Sequence, residues 1–202
     1  FRANNKNFYP DMPTSFEFDD EENTNIELGG KFTLANGAAE VNATAFLTDY
    51  EDLQVSLFDG VLGFNVGNAA AADIQGAEVD LRIAAGDYLT ISGGVAYLDF
   101  EFTDFRNGQC YFGQPPTEDL NGDGEPDTCS YTGQPNQMVS YWQGNMTFHF
   151  EYPISSNLVF NGLLDVFYKD DHHTSNTFDP KLIQDSYTKI NARLAIGSEI
   201  GR

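Results

Sequence analysis

The chain has 202 residues, and its 31 acidic residues outnumber its 10 basic residues, giving a formal net charge of −21. A protein of this charge is repelled by nucleic-acid phosphates, so a nucleic-acid partner is excluded. Hydrophobic residues make up 41% of the chain and aromatic residues 14%, which is too much apolar material for a disordered acidic chain. We therefore expect a folded, aromatic-rich β protein.

Apolar and polar residues alternate along most of the chain, which is typical of half-buried β-strands. The first such segment begins near Ile26 and reverses at Asn36-Gly37, a strong hairpin signal. A second hairpin turns at 85–87, and a third passes through Pro153. The last predicted strand covers 188–196, where apolar residues again occupy every second position.

The predicted connections alternate between short and long. Short turns are expected near 36–39, 85–87 and 153–157, and long polar connections near 51–72, 103–140 and 169–184. This alternation predicts an antiparallel up-and-down sheet with tight turns at one end and long loops at the other. The predicted strands run about 11 to 15 residues, against ~5–6 in soluble sheets.

Long strands with one apolar face and asymmetric loops describe an outer-membrane β-barrel, whose strands need only ~9–11 residues to cross the bilayer. In such a barrel the charged residues of the strands would face a wet lumen, while their apolar neighbours would meet lipid. The residues concerned are Glu78, Asp80, Arg82, Lys189 and Arg193. A soluble β-sandwich or lipocalin-like barrel also alternates polar and apolar residues and stays open as an alternative.

Several segments resemble the C-terminal part of the barrel of TonB-dependent outer-membrane receptors. They are 48–55, 66–69, 74–80, 97–99, 183–187 and 191–194. The most specific pattern consists of Asn68, Ala69, Gly76 and Glu78, in which Gly76 permits a close strand approach or a bulge. Where family members often have Gly and basic residues, this chain has Ala70, Ala71 and Asp73, so the region is more acidic than usual.

The resemblance implies an all-β fold: residues 1–202 would form about seven strands of a larger, plugged transmembrane barrel of about 22 strands. Because seven such strands would leave two bare edges, we expect the chain to be an incomplete piece, with the plug domain and the last strand absent. The loops near 51–72, 103–140 and 169–184 would be extracellular.

The function implied by the resemblance is active uptake of a scarce nutrient, such as a siderophore, cobalamin or a glycan, in the bacterial outer membrane. Its partners would be outer-membrane lipid, the small-molecule or glycan substrate, and the TonB complex, reached through the missing N-terminal part. No nucleophile, phosphate loop or convincing acid/base pair is found, so no enzyme is expected. The alternative is a soluble secreted β-domain whose calcium-braced loop adheres to carbohydrate or protein.

A possible calcium site lies in the longest predicted loop. Its candidate oxygen ligands follow the spacing of a calcium-binding loop, with Gly124 at the sharp turn: Asp119, Asn121, Asp123, Asp127 and the carbonyl of Glu125. Position 12 of the loop is Ser130 instead of a bidentate Glu. A solvated Asp/Gly/Asn turn is the alternative, and no other cofactor is required.

Two cysteines bracket this acidic segment. Cys110 and Cys129 have 18 residues between them, and an exported protein would oxidise such a pair. Closing a loop of this size contributes ~3 kcal/mol by the chain-entropy estimate. We expect a structural disulfide; two reduced thiols are the alternative.

The third long loop carries Asp171, His172 and His173. Adjacent residues of a strand point to opposite sides, so chelation of one metal by both histidines would require a turn. The resemblance places this segment in an extracellular loop, and the three residues are candidates for contact with a transported substrate.

Overall fold

A computed structural model describes residues 19–58, 64–119, 122 and 124–198. The bounds of its strands are β1 (Glu22–Leu34), β2 (Ala39–Phe58), β3 (Phe64–Ala85), β4 (Leu89–Asp104), β5 (Trp142–Ser155), β6 (Leu158–Lys169), β7 (His172–His173), β8 (Ile183–Gln184) and β9 (Tyr187–Ser198). Within these residues, no helix is long and apolar enough to cross a membrane.

Seven strands form one antiparallel sheet in the order β1-β2-β3-β4-β5-β6-β9, and β7 and β8 form a separate small hairpin. The predicted up-and-down topology is confirmed, because each main strand pairs with its neighbour in sequence. The tight turn between β1 and β2 follows the predicted Asn36-Gly37 signal, where both residues have positive φ. Asn and Gly tolerate that conformation better than other residues.

The predicted long connection near 51–72 is wrong, since β2 continues to Phe58 and β3 starts at Phe64. The two strands have 20 and 22 residues, about twice the ~9–11 that cross a bilayer. The register of β2 shifts between Tyr50 and Gln54, and Asp52 has a φ of 53°. Such a bulge breaks the period of two, which is why alternation did not reveal a strand there.

The register divides the sheet into two faces, because directly paired residues point to the same side. The apolar face carries Ile26, Leu28 and Phe32 of β1, Val41, Ala43, Ala45 and Leu47 of β2, Val79, Leu81 and Ile83 of β3, Ile91 and Val95 of β4, Met146 and Phe148 of β5, Leu164 and Val166 of β6, and Ile190, Ala192 and Leu194 of β9. The opposite, polar face carries the charged residues predicted to share one side: Glu78, Asp80, Arg82, Lys189 and Arg193.

Many of the large side chains of the apolar face are exposed. Leu28 is 80% exposed and Leu194 is 74% exposed, which would be costly in water over so wide a surface. The apolar side chains here therefore require a partner such as lipid.

Aromatic side chains border the apolar face at both ends. At one end the rings of Tyr97 and Trp142 lie 4.9 Å apart, and at the other end those of Tyr88 and Tyr152 lie 5.0 Å apart. Trp142 and Tyr152 are ten positions apart on β5, which corresponds to a rise of about 26 Å along a barrel axis at ~3.4 Å per residue and a ~40° tilt. A transmembrane barrel has an apolar band ~25 Å tall between aromatic girdles.

Gly76 lies at a point of the polar face where there is no room for a side chain. A Cβ there would lie 2.5 Å from the Phe46 ring and 2.7 Å from the Tyr97 carbonyl oxygen. The predicted close approach at Gly76 is confirmed, since Phe46 of β2 lies across the position that a side chain would occupy.

Candidate functional site

The buried hydrophobic residues of the described chain gather at one end of the sheet. We call this cluster the loop core; it consists of Ala70, Ala72, Phe100, Phe102, Phe105, Cys129 and Tyr131. Phe100 and Phe102 alternate with Asp99 and Glu101 on β4 and lie on the polar face of the sheet. The connection between β4 and β5 therefore folds over the polar face and leaves the apolar face uncovered.

Backbone hydrogen bonds hold this connection in place. Gly108 and Cys129 each donate an N–H to the other's carbonyl at 2.9 Å, and Tyr131 N donates to Phe105 O at 2.6 Å. Gly133 N donates to Phe102 O at 2.8 Å, which ties the connection to β4. The connection is thus a folded structure and not a loose loop.

The predicted disulfide between Cys110 and Cys129 is confirmed, with the two Cα atoms 5.1 Å apart. Cys129 is fully buried within the loop core. The bridge joins the outer part of the connection to the buried cluster, so it limits how far this segment can move.

A row of edge-to-face rings links the connection to the loop that follows β6. Phe100, Phe102, Phe105, Tyr131, Phe178 and His173 contact one another in that order, with ring centroids 4.7–5.3 Å apart. Such contacts contribute ~0.5–1.5 kcal/mol each beyond the area they bury. The two loops are further joined where Met138 N donates to His173 O at 2.8 Å.

Tyr131 is the ring of this row whose pKa is clearly shifted. Its hydroxyl donates to the Gln109 carbonyl oxygen. Burial raises the pKa of Tyr131 from 10.0 to about 12, because a phenolate would lose its hydration there. Tyr131 therefore stays neutral and fixes the loop core by a hydrogen bond.

Beside the loop core lies a cavity of about 290 Å³, which we call the loop cavity. Four parts of the chain line it: the second half of β2, the end of β4, the connection between β4 and β5, and the loop after β6. Its lining includes the rings of Phe102, Phe105, Tyr131 and Phe178 and the carboxamides of Gln54, Gln109, Asn136, Gln137 and Asn176. Concave sites of this mixed kind are where proteins hold small molecules.

The predicted substrate-contact residues do not line the loop cavity. His172 is buried, with its Nδ1 3.2 Å from the Asp170 carbonyl oxygen, and Asp171 is exposed. His173 packs against Phe178, which does line the cavity. Asp171, His172 and His173 therefore stay untested as substrate contacts. The carboxamides were missed because isolated Asn and Gln residues in polar loops carry no recognisable spacing.

The predicted calcium ligands are only partly placed. Asn121 and Asp123 lie outside the described residues. The carboxylate of Asp119 accepts hydrogen bonds from Gly122 N at 2.7 Å and Gly124 N at 2.8 Å. No group of three or more acidic, His or Cys side chains suited to a metal occurs among the residues with described positions. The calcium site stays a prediction.

Comparison with known proteins agrees with this geometry. A family model described as TonB dependent receptor-like, beta-barrel, matches residues 1–198. The fold is similar to the siderophore receptor PiuA from Acinetobacter baumannii (TM-score 0.64, 19% identity) over 88% of this chain and 22% of that protein. It is also similar to the ferric yersiniabactin uptake receptor FyuA from Yersinia pestis (TM-score 0.60, 17% identity) over 86% of this chain and 22% of that protein.

A third similar structure is the FrpB iron transporter from Neisseria meningitidis, with a TM-score of 0.51 and 15% identity, over 83% of this chain and 23% of that protein. The chain spans less than a quarter of the length of each of these three proteins. At identities below 20%, these structural similarities establish the fold alone, whereas the family model matches residues 1–198. The chain therefore belongs to the family of TonB-dependent receptor-like β-barrels.

Proposed function

We propose that the chain is the wall and extracellular loops of an outer-membrane receptor that imports a scarce nutrient by TonB-dependent active transport. One observation supports this most directly: the loops fold over the polar face and form a cavity there, while the apolar face, bordered by aromatic rows, is left for lipid. That arrangement separates a lipid-facing side from a substrate-facing side.

The proposed location is the bacterial outer membrane. The apolar face would contact the lipid, and the TonB complex would act through parts of the receptor beyond these residues. A siderophore, cobalamin or a glycan is the proposed cargo. By name, PiuA is a siderophore receptor and FyuA is a ferric yersiniabactin uptake receptor, which supports iron uptake as the first case to test.

The experiment uses the complete receptor in its own host, with the gene deleted and then restored. Under iron limitation, the restored strain should accumulate more radiolabelled ferric siderophore than the deletion strain, and a protonophore should remove the difference. Membrane fractionation should place the receptor in the outer membrane. Equal accumulation by both strains across siderophores, cobalamin and glycans, or a location outside the outer membrane, would contradict the proposal.

We also propose that Ca²⁺ binds the segment between Cys110 and Cys129, because hard cations prefer clustered carboxylate and carbonyl oxygens. Asp119, which now accepts two backbone N–H groups, would have to exchange them for the cation. Titration calorimetry on the complete receptor should show Ca²⁺ heat that Asp123→Ala abolishes, while Asp87→Ala in the opposite turn leaves it unchanged. An unchanged heat of Ca²⁺ binding in the Asp123→Ala variant would contradict the proposed calcium site.

A further inference from the structure

The loop cavity has a composition that restricts the charge of its ligand. Among the described residues that line it, every polar side chain is neutral, and none is Lys, Arg, Asp, Glu or His. We propose that the loop cavity binds an uncharged ligand rich in hydrogen-bonding groups, through carboxamides supplied by three separate segments. This inference rests on the transport function proposed above and names the substrate class of the same receptor.

Three of the five lining carboxamides are fully available for a ligand, whereas Gln54 Nε2 donates to the Asp19 carbonyl oxygen at 3.2 Å and Asn136 Oδ1 accepts from Gln137 N at 2.8 Å. Among the described residues, no hydrogen bond holds the side-chain amides of Gln109, Gln137 and Asn176. Each amide offers two N–H donors and one carbonyl acceptor, so it can read hydroxyl, carbonyl or amide groups of a neutral molecule. The ring of Phe178, which is only half-buried, adds an apolar surface against which a flat part of the ligand can pack.

An anionic ligand fits this site poorly. Three basic residues are near the lining residues in sequence, and none of them lines the cavity. Arg106 Nε lies 3.1 Å from Asp104 Oδ1, Lys169 Nζ donates to Met138 O at 3.1 Å, and Lys181 follows Phe178 by three residues. The surrounding end of the sheet is acidic and would repel an anion. Its acidic residues include Asp104, Asp170, Asp171 and Asp179.

A cationic ligand would be drawn to this acidic end of the sheet but would find no carboxylate among the lining residues that the structure describes. Burying a charge without a partner of opposite sign is costly, whereas a neutral polar group needs only hydrogen bonds. The cavity is at the small end of the ~300–1,000 Å³ range of ligand pockets. It is therefore sized for one segment of a larger molecule, such as a sugar ring or one neutral arm of a metal chelate.

The test measures binding to the complete receptor, purified in detergent, by titration calorimetry with four probes. Two are uncharged, a neutral ferric trihydroxamate and maltohexaose, and they distinguish a metal chelate from a glycan. The third is a trianionic ferric tricatecholate, and the fourth is a monocationic ferric trihydroxamate. We expect one of the uncharged probes to bind and both charged complexes to bind at least ten-fold more weakly.

Two variants connect binding to the cavity. Asn176→Leu and Gln137→Leu keep much of the side-chain volume but remove the hydrogen-bonding groups, and each should weaken binding of the uncharged probe about ten-fold. Asn157→Leu, at the opposite end of the sheet, is the matched control and should leave the affinity unchanged. Asn176→Asp adds a negative charge without changing size and should also weaken binding.

Failure of both uncharged probes to bind overturns the proposal, as does tighter binding of the tricatecholate. Tighter binding of the cationic complex, strengthened by Asn176→Asp, overturns it as well. Uptake into cells is measured separately. TonB-dependent import of the tricatecholate would support the transport function and contradict the preference for an uncharged ligand. Binding of an uncharged probe with the expected variant pattern, but no import, would support that preference and contradict the transport function.

Discussion

The strands and the loops of this chain are stabilised in different ways. On the apolar face, large side chains such as Leu28 and Leu194 are more than 70% exposed. In the loop core, Phe102 is 3% exposed and Tyr131 is 5% exposed. The usual expectation for a water-soluble domain is the opposite, because there the strands supply the core and the loops are exposed.

The outer-membrane location proposed above explains the difference, because the two regions would then meet different solvents. A strand face in lipid gains nothing from covering its apolar side chains, since the bilayer is as apolar as they are. The loops project into water, so they bury their aromatic rings against the polar face of the long hairpin formed by β2 and β3. The loop assembly thus has its own small hydrophobic core and a disulfide, like a small secreted domain.

Removal of the ring at the centre of the loop core is expected to have the largest effect. Phe105 contacts the rings of Phe102 and Tyr131, and Phe105→Ala should lower the free energy of loop opening by about 3–5 kcal/mol. Hydrogen exchange should quicken at Gly133 N, while the strand ladder stays protected. Phe148→Ala on the apolar face is the control, and an equal change in loop exchange from that variant would contradict the separation of the two regions.

A charge placed on the apolar face tests the other half of the comparison. Leu81→Arg should destabilise the receptor in phospholipid vesicles by roughly 2–4 kcal/mol, since a lipid-facing Arg near the midplane is costly. Asp80→Arg changes the adjacent residue, which points to the polar face, and should cost much less. Denaturant unfolding of both variants measures the difference. Equal costs would mean that the apolar face does not meet lipid.

Loss of the disulfide should affect the loops alone. Replacing Cys110 and Cys129 by Ser should reduce the stability of the closed segment by at most about 3 kcal/mol. Limited proteolysis should then cut between β4 and β5 more readily, with β-sheet circular dichroism unchanged. A loss of the β-sheet signal would show that the strands depend on the loop core after all.

The smallest expected effect is a pH dependence of the loop core. Because burial raises the pKa of Tyr131 to about 12 from 10.0, the neutral phenol stabilises the folded loops. This stabilisation is complete below pH 10 and is lost as the pH rises towards 12. Ultraviolet titration of the wild type minus Tyr131→Phe should show a single phenol that titrates near 12. A difference curve centred near 10 would contradict the buried environment.

The sheet was largely predictable because its signals are local. Alternation of apolar and polar residues specifies which face each side chain takes, and Asn36-Gly37 specifies a tight turn. The hairpin extension beyond Tyr50 was missed for the same reason, since a bulge at Asp52 interrupts the alternation while the backbone pairing continues. Backbone hydrogen bonds need no particular side chain, so they leave little trace in the sequence.

The site was less predictable because it depends on distant residues. Cys110 and Cys129 could be paired from their spacing and an exported setting, and the disulfide is confirmed. Nothing in the local sequence joins Gln54, Asn136 and Asn176, which lie on three segments far apart in the chain. His172 and His173 were predicted as contacts because histidine is rare in this chain, whereas the polar side chains that line the cavity are mostly common Asn and Gln residues.

The sequence by itself determined the antiparallel sheet, its two faces, its tight turns and its family, because periodicity or short motifs specify each of these features. Only the tertiary structure decided which face the loops cover, that Phe105, Tyr131 and Phe178 form one row of rings, and that neutral amides meet beside it. The physical reason is that packing between distant segments depends on three-dimensional contact, and a linear pattern specifies only the neighbours along a strand.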